Sequence, residues 1–325
     1  MLELYFFNVG HGDSIAIKFP NNTWGVIDCN RNTNETTPHV LTFLLNKKVG
    51  NLCFLCITHP HEDHFKGIDK IIEQYSKHID KLILYGLTRN DKEILETSSL
   101  GKGLKYFYND NKTNIRDKIE LAKINHSINV GDVEIKILNP TDDDLKNVML
   151  KECFASSVEY NAVSVVLFLE YKKCKILLTG DSTDYNWKRI FKLNAFEHLA
   201  DIIKISHHGS IENNSGELLE KLMNKNAYSI ISSDGGFKYK TIPSNDVIHF
   251  LEEKLQSKVL QTSLVNHNKR QVVEKTPFYS SNIEEAVVDT ITGDSYFGNH
   301  YDGYIKICID DNGNITHSYF DSIYN

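Results

Sequence analysis

The chain has 325 residues, 41% of them hydrophobic and 24% charged, with a formal net charge of −7. That balance is ordinary for a globular protein with a sizeable core. It excludes a permanent, sequence-blind grip on nucleic acid, which needs a basic surface, but bound dications reverse the local sign of a site and leave a polyanionic substrate open.

In chain order, Leu4 to Val9, Ser14 to Phe19 and Trp24 to Ile27 read as strands separated by Gly and Asn turns. Pro38 to Lys48 reads as a helix with Val40, Leu41, Leu44 and Leu45 on one face. Leu52 to Thr58 is a fully buried strand, Gly67 to Tyr75 a helix and Lys81 to Leu84 a strand. Segment 86–126 is polar, with an amphipathic stretch around Ile115 to Ile124. Strands are expected at Val133 to Leu138, Val163 to Glu170, Cys174 to Thr179, Ile202 to Ser206 and Ser229 to Ser232. Helices are expected near Glu217 to Asn224 and Ser244 to Lys254. No repeat or low-complexity linker divides the chain, so residues 1–325 read as a single α/β domain.

No run approaches the roughly 18 apolar residues of a membrane span, and no basic leader is evident. Six cysteines lie outside any framework spacing, and Cys53-x-x-Cys56 falls inside an apolar strand, where both act as small hydrophobes. A reducing, cytoplasmic setting with no membrane partner follows as the expectation.

The chemistry concentrates directly after the strand Leu52 to Thr58, in His59-Pro60-His61-Glu62-Asp63-His64. Unpaired imidazoles and carboxylates at the mouth of a buried strand cost several kcal/mol in desolvation. A divalent ion offsets that cost, because neutral imidazole nitrogens and carboxylate oxygens are its preferred donors. In a tight turn, His59 and His61 can face one ion while Asp63 and His64 face a second. Asp28, Asp181 and His207-His208 also end strands, and open α/β sheets place their sites at that rim.

These residues carry a resemblance. The run His59 to His64 resembles the H-x-H-x-D-H signature of the metallo-β-lactamase superfamily, with Asp28, Asp181 and His207-His208 in the order of its other motifs. Asn8-Val9-Gly10-His11-Gly12-Asp13-Ser14, Leu177-Leu178-Thr179-Gly180-Asp181 and Lys204-Ile205-Ser206-His207-His208-Gly209-Ser210 are similar to the branch containing the hydrolase domain of ComEC-type DNA-uptake proteins. Asn161-Ala162-Val163-Ser164 resembles that branch's N-x-x-S segment, and the likeness resumes weakly at Gly303 to Ile307.

The resemblance implies an αββα sandwich, two mixed sheets face to face with helices outside and metals in a cleft along one edge. It implies a hydrolase binding one or two divalent ions, zinc first and manganese as the alternative. His59 and His61 hold one ion, Asp63, His64 and His208 the other, and Asp181 bridges. A water between two dications has its pKa lowered toward neutrality and attacks as hydroxide. Asp63 and Asp181 position that chemistry, and His207 serves as proton donor or charge stabiliser; the choice of His208 over His207 as ligand rests on the resemblance alone. Asp13 and Asp28 orient ligand imidazoles, and Lys204 and Ser210 contact substrate or shape the strand end.

Two departures stand out. The third-motif histidine has no clear counterpart: His126 is a poor candidate, and Asn161 is expected to fill that side as a weak ligand or substrate contact. His11 stands where the ComEC-type branch usually has Gln, and Ile242 where it often has His. The expected substrate is a small phosphodiester or nucleic acid; the alternatives are an amide, thioester or lactone, and a non-catalytic binding or regulatory subunit. Residues 86–126 and 266–301 are insertions by comparison, suited to substrate selection or to plain surface extension.

Overall fold

The structure, a computed structural model, describes residues 1–31, 35–86, 96–153, 159–236, 238–264 and 303–324. Fifteen strands among them form two sheets. They are β1 Leu2–Phe7, β2 Ile15–Lys18, β3 Trp24–Ile27, β4 Leu52–Ile57, β5 Ile79–Leu84, β6 Ile119–Leu121, β7 Ser127–Val130 and β8 Val133–Asn139. Then follow β9 Val166–Tyr171, β10 Cys174–Leu178, β11 Ala200–Lys204, β12 Met223–Ile231, β13 Lys258–Gln261, β14 Tyr304–Ile309 and β15 Ile315–Phe320.

The first sheet runs β15-β14-β1-β2-β3-β4-β5-β6 and the second β13-β12-β11-β10-β9-β8-β7. Each has an antiparallel half and a parallel half: β3 to β6 are parallel in one, β10 to β13 in the other. The parallel strands are apolar on both faces, as β4 shows with Leu52, Phe54, Leu55, Cys56 and Ile57 all buried, because each is covered by the other sheet on one side and by helices on the other.

Helix α1, His39–Asn46, and helix α3, Ile68–Tyr75, send Val40, Phe43, Leu44, Ile68, Ile71 and Ile72 into the main core. On the far side, the helices Asp184–Lys192 and Gly216–Leu222 bury Trp187, Ile190, Leu218 and Leu219 against Phe168, Leu177 and Ile203 of the second sheet. The order is helix, sheet, sheet, helix: the αββα sandwich expected from the sequence.

Strand ends differ from the sequence reading by a residue or two, except at β9, which starts three residues late at Val166 because Val163 belongs to a helical turn, and at β12, which extends back to Met223. The stretch Ile115 to Ile124 divides into a single helical turn, Ile115–Lys118, and the edge strand β6. Among the described residues, three helices longer than one turn carry no sequence expectation: Ser99–Asp110, Asp142–Cys153 and Asp184–Lys192. Part of segment 86–126 is the first of these, and a Cβ on its Gly103 would lie 2.7 Å from Ile72 Cδ1 of α3. The other expected insertion, 266–301, lies outside the described residues.

Candidate metal centre

The site forms where the C-terminal ends of β3, β4, β10 and β11 meet. Asp28, immediately after β3, takes a left-handed φ of 55° and is fully buried. Its carboxylate accepts from the Thr58 backbone N–H at 2.8 Å, from Thr58 Oγ1 at 2.7 Å and from His64 Nδ1 at 2.7 Å. With the Thr58 hydroxyl proton spent on Asp28, His59 Nδ1–H is left to donate to Thr58 Oγ1, at 3.0 Å. Asp28 thus orients two imidazoles, one directly and one through Thr58, so that each turns a bare Nε2 toward the cleft.

His64 lies on the one-turn helix α2, Glu62–Phe65, and like His59 is fully buried. From the second sheet, Gly180 (φ 53°) turns the chain after β10 and leaves Asp181 at the rim. After β11 the chain passes through His207 and His208, both left-handed, with φ 45° and 55°. Side chains with a Cβ adopt this region at a cost of about 1–2 kcal/mol each, a strain that concentrates at functional sites. His208 Nδ1 donates to the Ser232 carbonyl at 2.9 Å, which again frees Nε2.

Asp181 is the hub. Its Oδ2 lies 3.3 Å from His64 Nε2, 3.5 Å from His208 Nε2, 3.8 Å from His59 Nε2 and 4.0 Å from His207 Nε2. Asp63 Oδ2 is 3.3 Å from His208 Nε2. His61 sits at the edge, with Nδ1 3.0 Å from His59 Nε2. Behind them is a buried ion pair: Lys204 Nζ contacts the Asp13 carboxylate, donates to the Gly180 carbonyl at 3.1 Å and lies 3.5 Å from Asp181 Oδ1.

The electrostatics are those of a cage built for positive charge. Burial resists ionisation of Asp181 and Asp63, but the surrounding imidazoles outweigh it and hold both carboxyls well below the usual range. Burial likewise resists protonation of His64 and His208, yet the carboxylates of Asp181 with Asp28, and of Asp181 with Asp63, raise both. Lys204 is raised against burial by Asp13 and Asp181. Burial lowers His59 and His207. The cluster holds four carboxylates and one lysine, and the excess negative charge draws protons onto neighbouring imidazoles, the same demand a divalent cation meets. His64 Nε2 and His208 Nε2 are buried without a hydrogen-bond partner. The donor set fits divalent ions.

His59, His64, Asp63, Asp181 and His208 therefore come together, with Asp13, Asp28 and Lys204 packed behind and His61 and His207 at the rim. His64 does not group simply with Asp63: its Nε2 is 4.0 Å from Asp63 Oδ2 and nearer to Asp181. Asn161 lies in the turn whose Ser164 Oγ accepts from the Asp181 N–H at 3.2 Å, and its own Oδ1 is buried without a partner. Ser210 shapes the turn through its backbone, its N–H donating to the His207 carbonyl. His126 is exposed, 3.9 Å from Glu120, and is no part of the cluster. The sequence reading noted His11 only as a departure, yet its Nε2 lies 3.5 Å from Asp63 Oδ2.

The profile of the metallo-beta-lactamase superfamily matches residues 32–227, and the chain belongs to that superfamily, whose members are generally metal-dependent hydrolases. ComE operon protein 3 of Bacillus subtilis is 23% identical over 269 residues, covering 77% of this chain and 30% of that protein. The chain thus spans less than a third of that relative, which accords with the ComEC-type motifs. Among solved structures, Zn(2+)-bound PqqB from Methylobacterium extorquens is similar at a TM-score of 0.46 and 11% identity, covering 80% of this chain and 98% of that one. The metallo-beta-lactamase fold protein YhfI from Bacillus subtilis is similar at 0.45 and 12%, covering 80% and 95%.

Proposed function

We propose that the protein is a phosphodiesterase or nuclease using one or two divalent ions, zinc or manganese, held by His59, His61, Asp63, His64, Asp181 and His208. The observation that carries this is the position of Asp181, one carboxylate oxygen within 4.0 Å of four imidazole nitrogens. A carboxylate placed in that way suits two cations at once. Three oriented imidazoles favour zinc, and the accompanying carboxylates also accept manganese. When bound, the ions supply Lewis acidity and stabilise charge developing on a phosphoryl oxygen.

The chain's own residues do the rest. Asn213 Nδ2 donates to His207 Nδ1 at 2.9 Å, so the neutral imidazole carries its proton on Nε2, facing the cleft. Burial keeps that imidazole below its ordinary pKa and therefore neutral, and an Nε2–H so held suits a hydrogen bond to charge developing on a phosphoryl or leaving oxygen. Lys204 holds Asp13 and Asp181 in place, while Asp28 and Thr58 hold His64 and His59. The similarity of the segments Asn8 to Ser14, Leu177 to Asp181 and Lys204 to Ser210 to the ComEC-type branch supports a phosphodiester over an amide, thioester or lactone.

The test is turnover after zinc or manganese loading. The panel is bis-p-nitrophenyl phosphate, single- and double-stranded DNA, RNA, cyclic nucleotides and a lactam. Phosphodiester turnover above lactam turnover is expected. The reverse order overturns the assignment in favour of amide or lactone hydrolysis, and no turnover by the loaded protein favours a binding subunit.

A further inference from the structure

We propose that His11 is a ligand to the ion held by Asp63 and His208, an inference that rests on the metal-centre reading above. Among the described residues, four overlapping groups of three could hold an ion. Two of them share no member and have the same composition: His59 with His64 and Asp181, and His11 with His208 and Asp63. The others join Asp13 to Asp181 and His208, and to Asp28 and His64. Two imidazoles and a carboxylate are a known protein donor set for a catalytic zinc, which keeps its fourth position open.

The distances suit that assignment. In the second set, Asp63 Oδ2 lies 3.3 Å from His208 Nε2 and 3.5 Å from His11 Nε2. Donors about 2.0–2.1 Å from a tetrahedral zinc are separated by roughly 3.3–3.4 Å, the edge of that tetrahedron. The His11 ring is wedged between His208 and Tyr239, with centroids 4.2 and 4.5 Å away. Its Nδ1 is buried and without a hydrogen-bond partner. The other ring nitrogen, Nε2, faces the Asp63 carboxylate at 3.5 Å, where an ion bound between them offsets the cost of burying the two groups together.

The loop that delivers His11 is held against the motif it serves. Gly12 has φ 129°, and a Cβ there would lie 2.3 Å from the Asp63 carbonyl oxygen and 2.5 Å from Asn30 Nδ2. Only glycine lets the backbone pass so close. The next residue, Asp13, donates its N–H to the same carbonyl at 3.1 Å, and Asn30 Nδ2 donates to the His11 carbonyl. The loop is fixed relative to Asp63, so the His11 ring is in place before any ion arrives. It also supplies an imidazole from the first sheet in a chain that has no clear third-motif histidine.

The experiment compares wild type, His11→Gln, His11→Ala and the remote control His126→Ala. Each is reconstituted with zinc, and its bound metal is counted by elemental mass spectrometry and its affinity measured by competition with a chromophoric chelator. Circular dichroism checks the fold. The expected result is that both His11 variants stay folded and weaken one zinc site by at least about 10- to 100-fold, the loss that even an outer partner of a ligand brings. His126→Ala should match wild type. X-ray absorption of the zinc-loaded proteins should show fewer imidazole donors per ion in His11→Gln than in wild type. Unchanged stoichiometry and affinity in both variants overturns the assignment of His11 while leaving the metal centre standing. A wild type that takes up no zinc overturns the metal centre itself and this ligand with it.

Discussion

The backbone N–H of Asp13 donates to the carbonyl of Asp63 at 3.1 Å, joining the β1–β2 loop to the turn that follows β4. The two side chains then diverge: Asp63 faces the histidines of the cleft, and Asp13 turns inward to Lys204. One main-chain contact therefore sets both a candidate ligand and the buried ion pair that backs the site.

Purified protein should carry one to two equivalents of zinc or manganese, and the double variant Asp63→Ala/His64→Ala should lose them. Elemental mass spectrometry on both preparations decides the matter. Absence of metal from wild type after reconstitution would end the enzyme reading.

Replacing Asp181 by Asn removes the charge at the hub and keeps its shape. Turnover of the best substrate should fall by more than about 100-fold, the upper end of the loss seen for partners one step removed from a metal. The circular dichroism spectrum should not change. Near-full activity would show that two ions do not share this carboxylate.

The adjacent histidines should separate cleanly. His207→Ala removes a positioned Nε2–H hydrogen-bond donor and should lower kcat on a phosphodiester by about 10²- to 10³-fold with metal content near normal. His208→Ala should lower metal content and activity together. Equal metal loss in both variants would contradict the assignment, and loss only in His207→Ala would reverse it.

Lys204→Met leaves Asp13 and Asp181 facing each other without the buried ammonium between them. Breaking a buried pair in this way costs about 3–5 kcal/mol, so thermal unfolding in the presence of a chelator should shift sharply downward. Added zinc should recover more stability in Lys204→Met than in wild type, because the ion compensates the same carboxylates. Equal responses to zinc would place Lys204 outside the electrostatics of the site.

The sequence alone determined the features that are local. Six consecutive positions, His59 to His64, hold the four candidate ligands His59, His61, Asp63 and His64, so their chemistry is legible without knowing what lies across from them. The buried parallel strands were legible for the same reason, since β3, β4 and β10 are short apolar runs closed by turn residues. The helix Ser99–Asp110 was not: its buried positions are Leu100, Gly101, Gly103 and Phe107, and two glycines give no apolar signal. Gly103 is there because α3 packs close, a fact of the partner and not of the segment.

Tertiary structure decided the partition of the site. Which nitrogen His64 and His208 present depends on Asp28 and Ser232, 36 and 24 residues away, while the nearer Thr58 and Asn213 orient His59 and His207. That His64 sits nearer Asp181 than Asp63, and that His11 sits beside Asp63 at all, follows from how two sheets bring their strand ends together. Ligand identity is a property of a side chain, whereas coordination is a set of distances of a few ångströms, and only long-range packing sets those distances.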